Sequence, residues 1–295
     1  VTKNVSQHYK GGALAEGNYD ETDNTYSFTH ELLSSMRSHK VNGTEQLRIL
    51  TEYEYDHMGR QVKTWKTIGG GQRTLLAQNV YNEIGQMQEK RLHSVNQGAS
   101  FLQKQEYAYN ERGWLRRIND PGTVATDRAF AMKLIYSEHT DAAKRQYNGN
   151  ISSIQWNTRV QPGLGLLQEQ QGYDYTYDKL NRLELAAYTT AGKAGYFNEA
   201  ISYDKGGNIL TLGRTGNNTP IDQLSYVYEN GGQSNRLQSV TDASNSDEGQ
   251  LRGTASYSYD QNGNLRTDSR KGLNFEYNHL NLSKKVTKGS TGESI

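Results

Sequence analysis

One short phrase, written many times over, constrains this chain more than any other feature. It runs tyrosine, spacer, tyrosine, Asp or Asn, a turn closed by Gly or Asn, then a return residue that is usually aliphatic. "YSYDQNGNLRTD" from Tyr257 is the clearest copy. "YEYDHMGRQVKT" from Tyr53, "YAYNERGWLRRI" from Tyr107 and "YTYDKLNRLELA" from Tyr175 follow it closely, and "NVYNEIGQMQEK" from Asn79 and "ISYDKGGNILTL" from Ile201 more loosely. Self-similarity of this kind makes one supersecondary unit the building block of the whole.

With the second tyrosine as position zero, the repeat reads as a β-hairpin. Position zero is Tyr55, Tyr81, Tyr109, Tyr177, Tyr203 and Tyr259, and the residue two before it is large in five of six copies. Residues two apart share a strand face. Position plus one is Asp56, Asn82, Asn110, Asp178, Asp204 or Asp260, and plus four is Gly59, Gly85, Gly113, Asn181, Gly207 or Gly263. Asp or Asn accepts local backbone hydrogen bonds at the start of a turn, and Gly or Asn tolerates positive φ at its end. This is a type I turn closed by a bulge. The register predicts that zero faces plus six (Gln61, Met87, Leu115, Leu183, Ile209, Leu265), pairing tyrosine with an aliphatic group everywhere but at Gln61. It also predicts exposed ion pairs of Asp56 with Arg60 and Asp178 with Arg182, each contributing little.

Less regular hairpins are expected at "YNGNISSIQW" from Tyr147, at "LSYVYENGGQSNRLQSV" from Leu224, where three residues are inserted before Leu237, and at "FEYNHLNLSKKV" from Phe275. "VNGT" from Val41 offers an Asn-Gly hairpin turn. "ELLSSMRSHK" can be read helically, but its flanks favour a strand. Loops such as "NDPGTVATDRA" (Asn119–Ala129), "RVQPGLG" (Arg159–Gly165) and "RTGNNTP" (Arg214–Pro220) hold the three prolines. No domain boundary interrupts the pattern, so residues 1–295 read as one continuous repeat array.

Composition fits a thin β structure. Only 33% of the 295 residues are hydrophobic, while 21 are tyrosines, each able to bury a ring and leave its hydroxyl wet. Thirty-three basic and 32 acidic side chains leave a net charge of +1, with no basic excess to recruit nucleic acid. No apolar run approaches the length of a membrane span. The absence of cysteine excludes disulfides and thiolate metal sites. The start, "VTKNVSQHYKGG", has neither initiator Met nor signal core and reads as the inside of a longer protein.

In order along the chain, "TEYEYDHMGR", "VYNEIGQMQEKRLHS", "YAYNERGWLRRIND", "YNGNISSIQW", "YTYDKLNRL", "ISYDKGGNI" and "YSYDQNGNLRTD" resemble the YD-repeat or RHS-repeat family, in particular its bacterial wall-associated, RHS-core, polymorphic-toxin type. The resemblance covers roughly Tyr19 to Val286. It implies an all-β, spiralling antiparallel sheet of hairpins, part of a hollow β-shell (cocoon). In the family such a shell encloses a C-terminal variable, toxin-like domain or forms the body of a secreted or cell-surface protein, and some members are associated with carbohydrate. The expected partners are therefore the remainder of the chain with its RHS core and cargo, a bacterial secretion or surface-export machine, and glycans. The family's cargo-releasing aspartates lie in a terminal core. Nothing after Val286 matches it, and Ser283 stands where the family often has proline, so no such residue carries over.

No catalytic, cofactor or metal residue is expected. The seven histidines lack ligand spacing, and His57 and His279 follow turn residues. "DQNGN" opens like a calcium loop, but Lys271 occupies the twelfth position. "GGGQRT" lacks the phosphate-loop lysine, "PGLGLL" is followed by no helix pattern, and no Gly-x-Ser-x-Gly elbow occurs. Trp65, Trp114 and Trp156 are candidates for stacking on sugar rings, with sheet packing as the competing role. The expected function is a structural shell that encapsulates or displays cargo; the alternative is a carbohydrate-binding adhesion module.

Overall fold

The computed structural model describes residues 1–10, 13–122, 127–158, 169–289 and 293–294. The loop expected at Arg159–Gly165, the "PGLGLL" run and the centre of the Asn119–Ala129 stretch lie outside them. The chain is all-β and antiparallel, and the pairings among described residues join strands consecutive in sequence.

The chain forms two compact units: Val1–Lys133 with Trp156–Gln168, and Leu134–Gln155 with Glu169–Ile295. The first opens with β1 (Lys3–Lys10), β2 (Ala13–Tyr26) and β3 (Leu32–Val41), and continues through strands Thr44–Tyr55, Gln61–Ile68, Thr74–Tyr81, Met87–Ser94, Gln103–Tyr109 and Leu115–Ile118. The second runs from Gln171–Tyr177 to Ser283–Lys288 by the same hairpin-to-hairpin path.

All six predicted registers are present: Tyr55 faces Gln61, Tyr81 Met87, Tyr109 Leu115, Tyr177 Leu183, Tyr203 Ile209 and Tyr259 Leu265, each beside a register break. The break is the bulge. Its closing residue has positive φ, from 63° at Asn181 to 95° at Gly207. In the Tyr55 turn, Asp56 Oδ1 accepts from the Met58 and Arg60 amides at 2.9 and 3.0 Å, and the Asp178 and Asp260 carboxylates repeat the arrangement. Tyr277 faces Ser283, and Tyr228 faces Leu237 across the expected three-residue insertion. The Asn42–Gly43 turn closes with Val41 opposite Thr44, and "ELLSSMRSHK" is strand.

Three details differ from the sequence reading. Tyr26 faces Leu32 in a further copy of the hairpin, in which His30 (φ 71°) replaces the glycine. The Arg214–Pro220 stretch is mostly strand around a tight Asn217–Asn218 turn, both residues having positive φ. Tyr147 lies outside any strand and is 61% exposed, so the first arm of its expected hairpin is missing; the strand there is Ser153–Thr158.

The core of each unit is thin. Among the described residues, Trp65, Leu75, Pro121 and Ala131 are buried and apolar in the first; in the second, Tyr136, Ala186, Tyr188, Leu224, Val240 and Ala255 are. They pair across strands, Trp65 with Leu75 and Val240 with Ala255. Half-buried tyrosines supply the remaining cover.

Candidate functional site

The repeat places its chemistry at the seams between hairpins. Within a hairpin the strands pair up to the bulge. Between hairpins the pairing stops short of the turn: the last paired residues on the return strands are Ser34, Lys63, Glu89, Leu185, Thr211, Ser239 and Thr267. Two residues nearer the turn in each case, the strands have splayed and a backbone carbonyl faces the gap. The position-zero tyrosine of the next hairpin fills it. Tyr55 donates its hydroxyl to the Leu32 carbonyl at 2.9 Å, Tyr81 to Gln61 at 3.2 Å and Tyr109 to Met87 at 3.0 Å. In the second unit Tyr203 donates to Leu183 at 2.9 Å, Tyr228 to Ile209 at 2.9 Å, Tyr259 to Leu237 at 3.0 Å and Tyr277 to Leu265 at 2.9 Å. Tyr177 does the same to Ile151 at 2.7 Å. A phenol is long enough to span the splay, while its own strand position faces the first residue of the return strand of its hairpin.

This explains Gln61. The seam uses the carbonyl at plus six, which every residue has, and Gln61 O accepts from both Tyr81 and Asn79. Its side chain donates to Thr64 at 2.6 Å.

The plus-five side chain makes a second link. The Arg60 and Arg182 guanidiniums lie 4.6 Å from the ring centroids of Tyr81 and Tyr203, the tyrosines of the next hairpins. Arg182 also donates to the Asp204 carbonyl at 2.9 Å. The Asp56–Arg60 and Asp178–Arg182 pairs (2.7 Å each) are therefore half-covered, not exposed as expected. Backbone and side-chain hydrogen bonds from Arg182 hold the Asp178 carboxyl below the usual carboxylate range. The Asn264 amide, with the turn amides behind it, does so for Asp260.

Small polar residues clamp the other ends of the hairpins. Buried Ser94 accepts from the Gly98 amide and buried Asn119 from the Glu106 amide; Asp242 binds the Gln223 and Ser244 amides, and Asp268 those of Arg270 and Lys271. Asp222, fully buried, accepts from Arg214 Nε at 2.5 Å and the Gln250 amide at 2.6 Å. The sequence reading missed these. Their signal is a Ser, Asn or Asp closing a short aliphatic return strand, as in "RLHS", "RRIND", "SVTD" and "RTD".

The three tryptophans lie on separate elements. Trp65 is only 5% exposed, donates to Glu54 Oε1 at 2.6 Å and has the Arg73 guanidinium 4.1 Å from its ring centroid. A ring so covered offers no open face to a sugar, so Trp65 is a packing residue. Trp114, under Arg112, and Trp156 are half-buried.

His57 and His279 are exposed in turns. His139 is buried and lies 3.3 Å from Asp174, which also binds Lys144 at 2.7 Å and Ser153. The carboxylate is the centre of this group. Nucleophile activation needs histidine between serine and acid, an order this group does not have: the Asp174 carboxylate bridges His139, Lys144 and Ser153. His8 and His39, remote in sequence, meet at Asp20 in the first unit.

No protein-family model and no curated protein matches the chain. Solved structures that resemble it include two crystal structures. The TcdB2–TccC3–Cdc42 complex matches at a TM-score of 0.56 and 14% identity over 93% of this chain, and TcdB2–TccC3 at 0.56 and 12% over 99%. The chain has an RHS-like fold. It spans 14% and 16% of those two chains, so the likeness is one of fold. Among the described residues no helix is long and apolar enough to cross a membrane.

Proposed function

We propose that this chain is a stretch of the wall of a YD/RHS-repeat protein, secreted or displayed on a bacterial surface, whose shell encloses or presents a C-terminal toxin-like domain. The observation that carries the reading is the seam. The tyrosines that define the repeat, and the arginines beside them, are engaged in joining each hairpin to the one before it. Side chains used that way build a barrier, a role that needs no catalysis by the wall. The RHS-like fold supports the same view. The partners are the remainder of the chain, its cargo and the machinery that exports it.

The test is protease protection. The complete gene product is purified and digested under native conditions, and the lifetime of the segment beyond the repeats is followed by mass spectrometry. The reading expects a protected segment that becomes cleavable when two adjacent seam tyrosines, Tyr203 and Tyr228, are replaced by alanine. Equal digestion of both proteins sinks it. With Trp65 buried, the carbohydrate-binding alternative rests on Trp114 and Trp156; a glycan array of wild type, W114A and W156A decides it.

A further inference from the structure

β1, β2 and β3 carry a cluster that the repeat does not explain. Asp20 on β2 stands between Ser6 of β1 and His39 of β3. His8 lies at the register break between Gln7 and Tyr9, and its ring stacks on His39 with centroids 4.5 Å apart and planes 17° from parallel. His39 Nδ1 is 2.7 Å from Asp20 Oδ1. One ring nitrogen from each histidine and one Asp20 oxygen lie within 4.8 Å of one another, and all three residues are half-buried.

We propose that His8, Asp20 and His39 form a binding site for a divalent transition metal of the zinc class, clasping the first three strands. Two imidazoles and a carboxylate suit zinc, whereas magnesium and calcium prefer oxygen donors. Tetrahedral zinc bonds of about 2.0–2.2 Å set neighbouring ligand atoms roughly 3.3 Å apart. The 2.7 Å contact would open slightly and the longer separations contract, movements within reach of side-chain rotation. The outer contacts are of the right kind. His8 Nε2 lies 3.1 Å from the Lys40 carbonyl, and Arg37 Nη2 donates to Asp20 Oδ2 at 2.5 Å. Carbonyls and charged groups in such places orient metal ligands. The Arg37 charge opposes the cation, so binding is weaker than at a buried four-ligand site. The fourth coordination position is left for water.

The ligands come from three strands, 12 and 19 residues apart in sequence, which is why no spacing motif announces them. Without metal the same groups make an ordinary histidine–carboxylate hydrogen bond, and the experiment separates the two roles. The 295-residue chain is titrated by calorimetry with zinc chloride and, separately, magnesium chloride. One zinc per chain and no magnesium is expected, with zinc slowing amide exchange across residues 3–10. H8Q and H39Q should each weaken zinc binding at least about tenfold, while H57Q and H93Q leave it unchanged. H8Q keeps the His39–Asp20 contact, so it remains informative should H39Q fold poorly. Histidine side-chain NMR of the wild-type chain should shift His8 and His39 together on adding zinc. Absence of zinc binding, or binding that survives both H8Q and H39Q, overturns the proposal.

Discussion

The seam makes a quantitative demand on Tyr203. Its hydroxyl donates to the Leu183 carbonyl at 2.9 Å, its ring faces Ile209 across the hairpin, and the Arg182 guanidinium sits 4.6 Å from the ring centroid. Replacement by Phe removes the hydroxyl alone. A net hydrogen bond contributes about 0.5–1.5 kcal/mol; since this one is half-buried and water can reach the freed carbonyl, about 1 kcal/mol is expected. Replacement by Ala removes the ring as well. The cation–π contact adds about 0.5–1 kcal/mol, the cross-strand pair about 0.2–1 kcal/mol and the half-covered apolar area about 1 kcal/mol, for a loss of about 3 kcal/mol. Native-state hydrogen exchange reads this locally. Amides in Glu199–Tyr203 and Ile209–Gly216 should exchange about fivefold faster in Y203F and on the order of a hundredfold faster in Y203A. Y203F and Y259F involve separate carbonyls and should add. If Y203F exchanges like wild type while Y203A shows its full loss, the hydroxyl is not the link and the account of the seam is wrong.

Three further outcomes follow from the same structure. Burial, and next the neighbouring Tyr177 and Tyr173, push the Tyr175 phenol up to about 12, and burial raises Tyr177, Tyr228 and Tyr259 as well. The fold thus favours the neutral phenol; its contribution is intact below the ordinary tyrosine value of about 10 and is lost as pH rises from there towards 12, so tyrosinate absorbance and loss of β circular dichroism should rise together in that window. A methyl group on Gly249 would overlap the Asp222 carboxylate; G249A should lower stability by about 2–4 kcal/mol through the displaced buried acid, and a chemical-denaturation midpoint equal to wild type would contradict this. His30 sits at φ 71° where the other copies have Gly or Asn, so H30G should raise the melting temperature, by about 1 kcal/mol of relieved strain, and a drop would show that the His30 side chain matters more than its backbone.

The hairpins were legible because their information is local. Asp56 to Gly59 fixes a turn, the turn fixes the register, and the register places Tyr55 on residue 61 whatever lies elsewhere. The link from Tyr81 to the Gln61 carbonyl was not legible, because it depends on how far neighbouring hairpins splay. A trace of it was present: position zero is tyrosine in all six copies, whereas the residue two before it ranges from tyrosine to Asn79 and Ile201. Packing alone would have admitted phenylalanine. The His30 copy was hidden because neither Gly nor Asn marks the close of its turn. Trp65 looked like its two counterparts in the sequence; its burial opposite Leu75 across the strand pair sets it apart from the half-buried Trp114 and Trp156. Asp20, His8 and His39 meet through strand order, which no window along the chain contains.

The hairpins joined by these tyrosines meet what precedes them through a carbonyl, a group that does not depend on which amino acid supplies it. A cut from one such carbonyl to the next would remove a whole unit and leave matching faces behind. Length is therefore a dimension in which this kind of chain can grow or shrink by duplication and deletion without rewriting what remains.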